Sequence, residues 1–254
     1  MTALVLSAGG MFGAYQAGVW KALAPVWQPD MVVGASAGAL NGWAIAGGCS
    51  PAELVAIWLD ARMEELMRPR WRLPVFDAVA LSERAQALFT RYQPRVPYAL
   101  TLCQVPRLRP RLVRGEEVTW RHLVASCAVP CGFASVRIDG KLYADGGVLG
   151  ALPLWAAQEM GADRAVAVNA LVIMPSRTIR TAARLGCWIG SPKIASSDFE
   201  VLQIARDGPL GTLRDAVRWS KANAQRWIEM GEEDGARAAH ELAGLTTRGG
   251  IPLK

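Results

Sequence analysis

Histidine is almost missing from this chain: 254 residues contain two, His122 and His240. There are five cysteines, Cys49, Cys103, Cys127, Cys131 and Cys187. Only Cys127-Ala128-Val129-Pro130-Cys131 brings two of them close in sequence, and no second such pair exists. A zinc site therefore has too few soft ligands, and no metal is expected. The odd cysteine count, scattered through apolar stretches, speaks against a disulfide framework and for buried free thiols in a reducing compartment. A signal peptide's basic start is also missing, since the first lysine is Lys21 and Gly9, Gly10 and Gly13 interrupt the first apolar run. Repeats and low-complexity runs are absent. The uncharged stretch Met31 to Ala52 includes Asn41 and five glycines, which suits a buried strand, turn and helix better than a bilayer span. A cytoplasmic protein is expected.

What is present is a globular composition, 52% hydrophobic and 20% charged, in a chain long enough for one large α/β domain. The net charge of +6 is localised: residues 62–121 carry twelve arginines and six acids, the whole of the excess. Such a region suits the phosphate headgroups of an anionic membrane surface, and equally a solvated face. No nucleic-acid motif accompanies the charge, so nucleic acid is not an expected partner.

Three short stretches carry chemistry. Met31-Val32-Val33 reads as a buried strand and Ala37 to Gly48 as a helix, with Gly34-Ala35-Ser36-Ala37-Gly38 between them. That is the G-x-S-x-G elbow, in which Gly34 and Gly38 let a tight turn lift the Ser36 hydroxyl above the sheet edge. The helix start behind it favours the negative charge of an attacked carbonyl. Upstream, strand Ala3 to Leu6 runs into Ser7-Ala8-Gly9-Gly10-Met11-Phe12-Gly13 and a helix, Ala14 to Ala24, stopped by Pro25. Strand, glycine loop and helix cradle an anion. A dinucleotide pyrophosphate would need an acid at the carboxyl end of the second strand, but Asp30 precedes that strand. The oxyanion of a tetrahedral acyl intermediate fits the loop better. Downstream, Ser135 to Ile138 and Lys141 to Ala144 read as a hairpin turning at Asp139-Gly140, and it delivers Asp145-Gly146-Gly147.

The order of these motifs, over residues 3 to 170, resembles the patatin-like phospholipase family. Ser126-Cys127-Ala128-Val129-Pro130-Cys131-Gly132-Phe133 is similar to a family segment preceding the Asp-Gly-Gly motif. The resemblance implies a mostly parallel central sheet with helices on both faces, a three-layer α/β/α fold. It also implies a Ser–Asp dyad of Ser36 and Asp145, with no histidine and no cofactor. The oxyanion would be held by the loop residues Ala8, Gly9, Gly10, Met11 and Gly13, and Gly146 and Gly147 would follow the base. A lipid or other acyl ester is the implied substrate. Three positions depart from the family pattern: Ala8 replaces the first of three glycines, Phe12 a basic residue, and Ala151 an asparagine.

Alternatives remain at this level. Ser36, Asp145 and His240 follow the chain order of an α/β-hydrolase triad, although only about two strands fit before the elbow. A soluble esterase or thioesterase, or an idle protein of the same fold, would share the motifs. The chain is expected to be a single domain, 1–254, with an Arg-rich helical insertion at about 50–96 and a mainly helical part at about 175–254. In the insertion, Ser50-Pro51-Ala52-Glu53 caps a helix reaching about Met67, Arg68 to Pro74 is a loop containing Trp71, and Ser82 to Tyr92 is a further helix. A lid or acyl-chain site would lie there. In the last part, Ser197-Asp198-Phe199-Glu200 reads as a helix cap, and Thr212 to Met230 as a long amphipathic helix.

Overall fold

A computed structural model describes residues 1–67, 73–172 and 199–247. The loop residues Arg68 to Arg72, Cys187 and the Ser197-Asp198 half of the expected cap lie outside the described residues. Eight strands form one sheet: β1 (Thr2–Leu6), β2 (Met31–Gly34), β3 (Tyr98–Val105), β4 (Arg109–Arg114), β5 (Val136–Ile138), β6 (Lys141–Asp145), β7 (Arg164–Val168) and β8 (Glu200–Ile204). Hydrogen-bonded neighbours run β5-β6-β3-β2-β1-β7-β8, with β4 on β3. The pairs β2–β1, β1–β7, β7–β8 and β2–β3 are parallel, and those of β3 with β4, β3 with β6, and β5 with β6 are antiparallel.

Strand alternation sends the core to both sides. Leu4, Leu6, Val32 and Leu100 face a large cluster with α1 (Gly13–Leu23), α2 (Ala37–Ala46), α3 (Pro51–Leu59), α4 (Ala78–Arg91) and α5 (Trp120–Ser126). Ala3, Val5, Val33 and Ala167 face a smaller one with α6 (Leu154–Glu159). Small side chains on that second face let α6 lie close to the sheet. Three layers are present, as expected, and they are unequal.

Register explains where the chemistry falls. β2 pairs with β3 over Val32–Tyr98 to Gly34–Leu100, and β6 pairs over Leu102–Asp145 to Val105–Leu142. Because β4 occupies residues 99–104 of β3, β2 and β6 share its other edge and meet there end to end. The carboxyl ends Gly34 and Asp145 therefore abut across Thr101. Leu6, the end of β1, pairs with Gly34, which puts the glycine loop at the same place.

Helix boundaries follow local chemistry with three departures. The Ser50 capping box forms, with Glu53 N–H donating to Ser50 Oγ and Ser50 N–H to Glu53 Oε2. Yet α3 ends at Leu59, because the Asp60 carboxylate accepts both the Arg62 N–H and its guanidinium, and a 3-10 segment follows over Ala61–Met67. Glu200 opens β8 and not a helix: pairing with β7 along its whole length outweighs the local capping pattern. The box at Thr212 and Asp215 starts only a short helix, α7 (Leu213–Ala216), before α8 begins at Lys221 and runs to Thr247.

α8 lies directly on α1. A Cβ on Gly18 would come within 2.0 Å of Ile228 O, and one on Gly231 within 2.1 Å of Tyr15 O, so the two backbones touch. Beside this crossing, buried Asp234 accepts the Tyr15 hydroxyl at 2.8 Å and pairs with Arg206 and Arg237.

Candidate active site

Ser36 has φ 55° and ψ −126°, a conformation costly for any residue with a side chain. The surroundings that impose it are backbone. A Cβ on Gly38 would stand 2.4 Å from Leu6 O, and one on Gly34 2.2 Å from Gly38 O, so the elbow is wedged between β1 and its own helix. The Ser36 N–H donates to Ser126 Oγ at 2.9 Å, and that hydroxyl donates to Thr101 O at 3.1 Å. Ser126 thereby ties the elbow to the residue across which the two strand ends meet.

Asp145 arrives at the end of β6, its N–H donating to Ala128 O at 3.0 Å. Its Oδ1 accepts the Gly147 N–H at 2.7 Å. The Asp-Gly-Gly sequence thus folds back on its own carboxylate, and Gly146 passes where a Cβ would meet Thr101 O at 2.2 Å. Ser36 and Asp145 are 4% and 3% exposed, and the Ser36 side chain lies near enough to the carboxylate to act on it. Burial raises the Asp145 pKa to about 6, against opposing contributions from the Ser36 hydroxyl and the Gly147 amide. Beside them lies the Cys127 thiol; burial, then the Asp145 charge, pushes it well above its usual range and keeps it protonated.

The glycine loop divides into two groups. The Ala8 N–H donates to Ala151 O at 2.7 Å, and the Gly13 N–H closes the 3-10 turn on Gly10 O and Met11 O. Ala8 and Gly13 therefore leave the expected set of oxyanion donors, because their hydrogens are already bonded. The N–H groups of Gly9, Gly10 and Met11 have no partner among the described residues. Gly10 must be glycine, since its φ is +55° and a Cβ would press on Ala216 O at 2.4 Å. Two of the departures from the family pattern fit the backbone found here: Ala8 has no positive φ, and Ala151 contributes its carbonyl.

A buried polar network holds loop and elbow together. Asn41 Nδ2 donates to Gly13 O and to Gln16 Oε1, Gln16 Nε2 donates to Ser7 O, and Trp58 Nε1 donates to Asn41 Oδ1. Every member is paired, so the network fixes geometry without leaving a stranded polar group. Neither Asn41, Gln16 nor Ser126 stands out in the sequence as a site residue. Only the Ser126 to Phe133 segment carried a signal, through the family resemblance.

Ser36, Gly10 and Met11 open into an apolar cavity walled by α2 and by the helices that follow it, including Leu40, Leu54, Trp58, Met63, Leu81 and Leu88. Neither histidine lines it. His122 Nδ1 lies 3.0 Å from the Thr119 hydroxyl and accepts the Thr119 N–H, which makes it a helix cap, and His240 is exposed on α8.

A mixed, mostly parallel sheet with a strained serine at a strand-to-helix turn is the arrangement of a nucleophile elbow on an α/β fold. Residues 4–157 match the family model for patatin-like phospholipases, more than half of the chain, and the chain belongs to that family of hydrolases. Among solved structures it is similar to VipD from Legionella pneumophila, at 13% identity and TM-score 0.55, covering 94% of this chain and 67% of that one. It is also similar to the type III effector protein ExoU, at 15% identity and TM-score 0.44, covering 94% of this chain and 53% of that one. The chain thus spans about half the length of ExoU. At these identities the likeness concerns fold, and the comparison of folds rests on VipD. No described helix is long and apolar enough to cross a membrane.

Proposed function

We propose that the chain is a serine lipid acyl hydrolase, cleaving fatty-acyl esters of phospholipids or lysophospholipids through an acyl-Ser36 intermediate and a Ser36–Asp145 dyad. One observation carries the reading: a buried hydroxyl, a buried carboxylate and unpartnered backbone amides converge at the mouth of an apolar cavity. The acyl chain enters the cavity, placing its carbonyl carbon at Ser36 Oγ. As Oγ attacks, its proton passes to Asp145, and the N–H groups of Gly9, Gly10 and Met11 hold the oxyanion. Removing one such donor raises a barrier of this kind by about 3 kcal/mol. Collapse expels the alcohol, which takes the proton from Asp145. Water then attacks the ester, giving its proton to Asp145, and as the acyl carbon–Oγ bond breaks Asp145 returns that proton to Ser36 Oγ and the fatty acid leaves.

The raised pKa of Asp145 serves this chemistry. At neutral pH the group is ionised, yet it is a stronger base than a solvated carboxylate. The free thiols Cys49, Cys103 and Cys127 support a cytoplasmic setting in this reading, and the Arg-rich region 62–121 supports peripheral contact with anionic membrane surfaces.

A fluorophosphonate probe tests the nucleophile. Wild-type protein is expected to label at Ser36 and to release fatty acid from a lysophospholipid, and Ser36→Ala to do neither. Labelling of Ser36→Ala equal to wild type would refute the assignment. Turnover confined to short water-soluble esters would replace the lipid reading with an esterase.

A further inference from the structure

Outside the cavity, a groove of about 520 Å³ is lined by Glu64, Arg214, Asp215, Arg218, Trp219 and Lys221, among others. It adjoins the mouth of the candidate site. Ala216 O, at the end of α7, presses on Gly10, and Met67 Cε lies 3.7 Å from a Cβ placed there. Trp219 Nε1 donates to Trp58 O at 2.9 Å, and Trp58 is a wall of the cavity. An ester whose carbonyl lies at Gly10 and Met11 thus lies beside α7 and the turn after it.

The groove is cationic in effect. Arg214, Arg218 and Lys221 are exposed and make no ion pair among the described residues. Of the two acids, Asp215 is occupied: Oδ2 accepts the Thr212 N–H and hydroxyl at 2.8 Å each, and Oδ1 accepts Asn223 Nδ2 at 3.3 Å. Arg226 also acts on that carboxylate. Glu64 is left against three cations. Guanidinium groups present planar donor forks that match phosphate oxygens, and they line a groove large enough for a phosphodiester.

We infer that this groove is the headgroup subsite of the hydrolase, binding the phosphodiester anion of a glycerophospholipid or lysophospholipid while its acyl chain occupies the cavity. The inference rests on the function proposed above and assigns recognition of the headgroup to Arg214, Arg218 and Lys221.

Two soluble substrates of equal chain length test it: hexanoyl-lysophosphatidylglycerol, and monohexanoylglycerol, which lacks the phosphate. Wild-type protein is expected to prefer the first in kcat/KM. In Arg214→Gln/Arg218→Gln, which keeps side-chain bulk, that preference falls on the order of tenfold, mainly through KM. Arg137→Ala, on the distant β5–β6 hairpin, leaves it unchanged. An unchanged preference in the double variant, or an equal loss on both substrates, overturns the subsite. Failure of wild-type protein to hydrolyse either substrate would defeat the proposed function itself, whereas hydrolysis of both without preference defeats the subsite alone. Inorganic phosphate separates the two sources of the anion. It is expected to inhibit hydrolysis of the phosphate-bearing substrate only weakly, and inhibition at concentrations matching that substrate's KM would make the groove a free-anion site and overturn the lipid assignment.

Discussion

The first 170 residues and the segment 199–247 both bear on the glycine loop, and they do so by different means. In the first region, chemistry is arranged by strand ends: β1, β2 and β6 deliver the glycine loop, Ser36 and Asp145 to one place. In the second, no side chain enters the cavity. Its contribution is pressure from behind: α8 touches the backbone of α1, and α7 closes on Gly10. Catalytic placement is thus a matter of register in one region, and of helix packing in the other.

The sharpest separation of the two comes from Asp145→Asn. The variant keeps an acceptor for the Gly147 N–H but cannot take the Ser36 proton, so turnover should fall about a thousandfold with the fold intact. Stability should move the other way. Well below pH 3.8 the carboxyl is protonated whether folded or unfolded. Between its ordinary value of 3.8 and its folded value of about 6, the folded state alone holds the proton, so stability is lost as pH rises through that window. Above it, burial of the charge costs on the order of 2–3 kcal/mol. Asp145→Asn should therefore melt higher than wild type at pH 7, with the difference vanishing only well below pH 3.8, while wild-type turnover rises with pH through about 6. A variant that melts lower at pH 7 would place the carboxylate in a structural role.

For the second region the expected defect is mechanical. Gly231→Ala sets a methyl group against Tyr15 O, forcing α8 off α1 at a cost on the order of 2–3 kcal/mol. Asp234→Ala removes the acceptor of the Tyr15 hydroxyl and of two arginines, with a cost of about 2 kcal/mol. Either variant should lower the melting temperature, and both should reduce turnover in proportion to the folded fraction. If a fully folded Gly231→Ala protein lost activity as strongly as Asp145→Asn, the division between chemistry and support would be wrong.

The same contrast governs what could be read beforehand. The elbow, the glycine loop and the Asp-Gly hairpin are local: each needs particular backbone dihedrals, and a few residues announce them. Asp139 and Gly140 do take positive φ, as a tight hairpin turn requires. The convergence of Ser36 and Asp145 was legible only through resemblance, because nothing in the sequence says that β2 and β6 share one edge of β3. The loop donors were half legible. Glycine content marks Gly9 and Gly10, but the loss of the Ala8 amide depends on the position of Ala151, 143 residues away in the chain and set by tertiary structure. In the second region the cues misled. Glycines in a helix lower its intrinsic stability, so Gly231 and Gly235 look like weak points when they are the contact face on α1. The Ser197–Glu200 pattern resembles a helix cap while Glu200 pairs with Arg164 in the sheet.

The smallest expected effect concerns the arginines. Their excess between residues 62 and 121 suggested one cationic face, but the fold divides and partly neutralises it. Arg62 and Arg91, on the helical insertion, pair with Asp60 and Glu53; Arg111 and Arg114, on β4, pair with Glu117 and Glu159. The exposed pairs themselves contribute little to stability, yet each cancels a charge that a membrane would otherwise meet. Attraction to an anionic surface should accordingly be weak and screened within about 10 Å at 0.1 M salt. Hydrolysis of anionic vesicles is expected to slow by about twofold between low and physiological ionic strength, with no change on neutral vesicles. A much steeper fall would mean that the cations act together as one docking face, and an unchanged rate would remove peripheral electrostatic contact altogether.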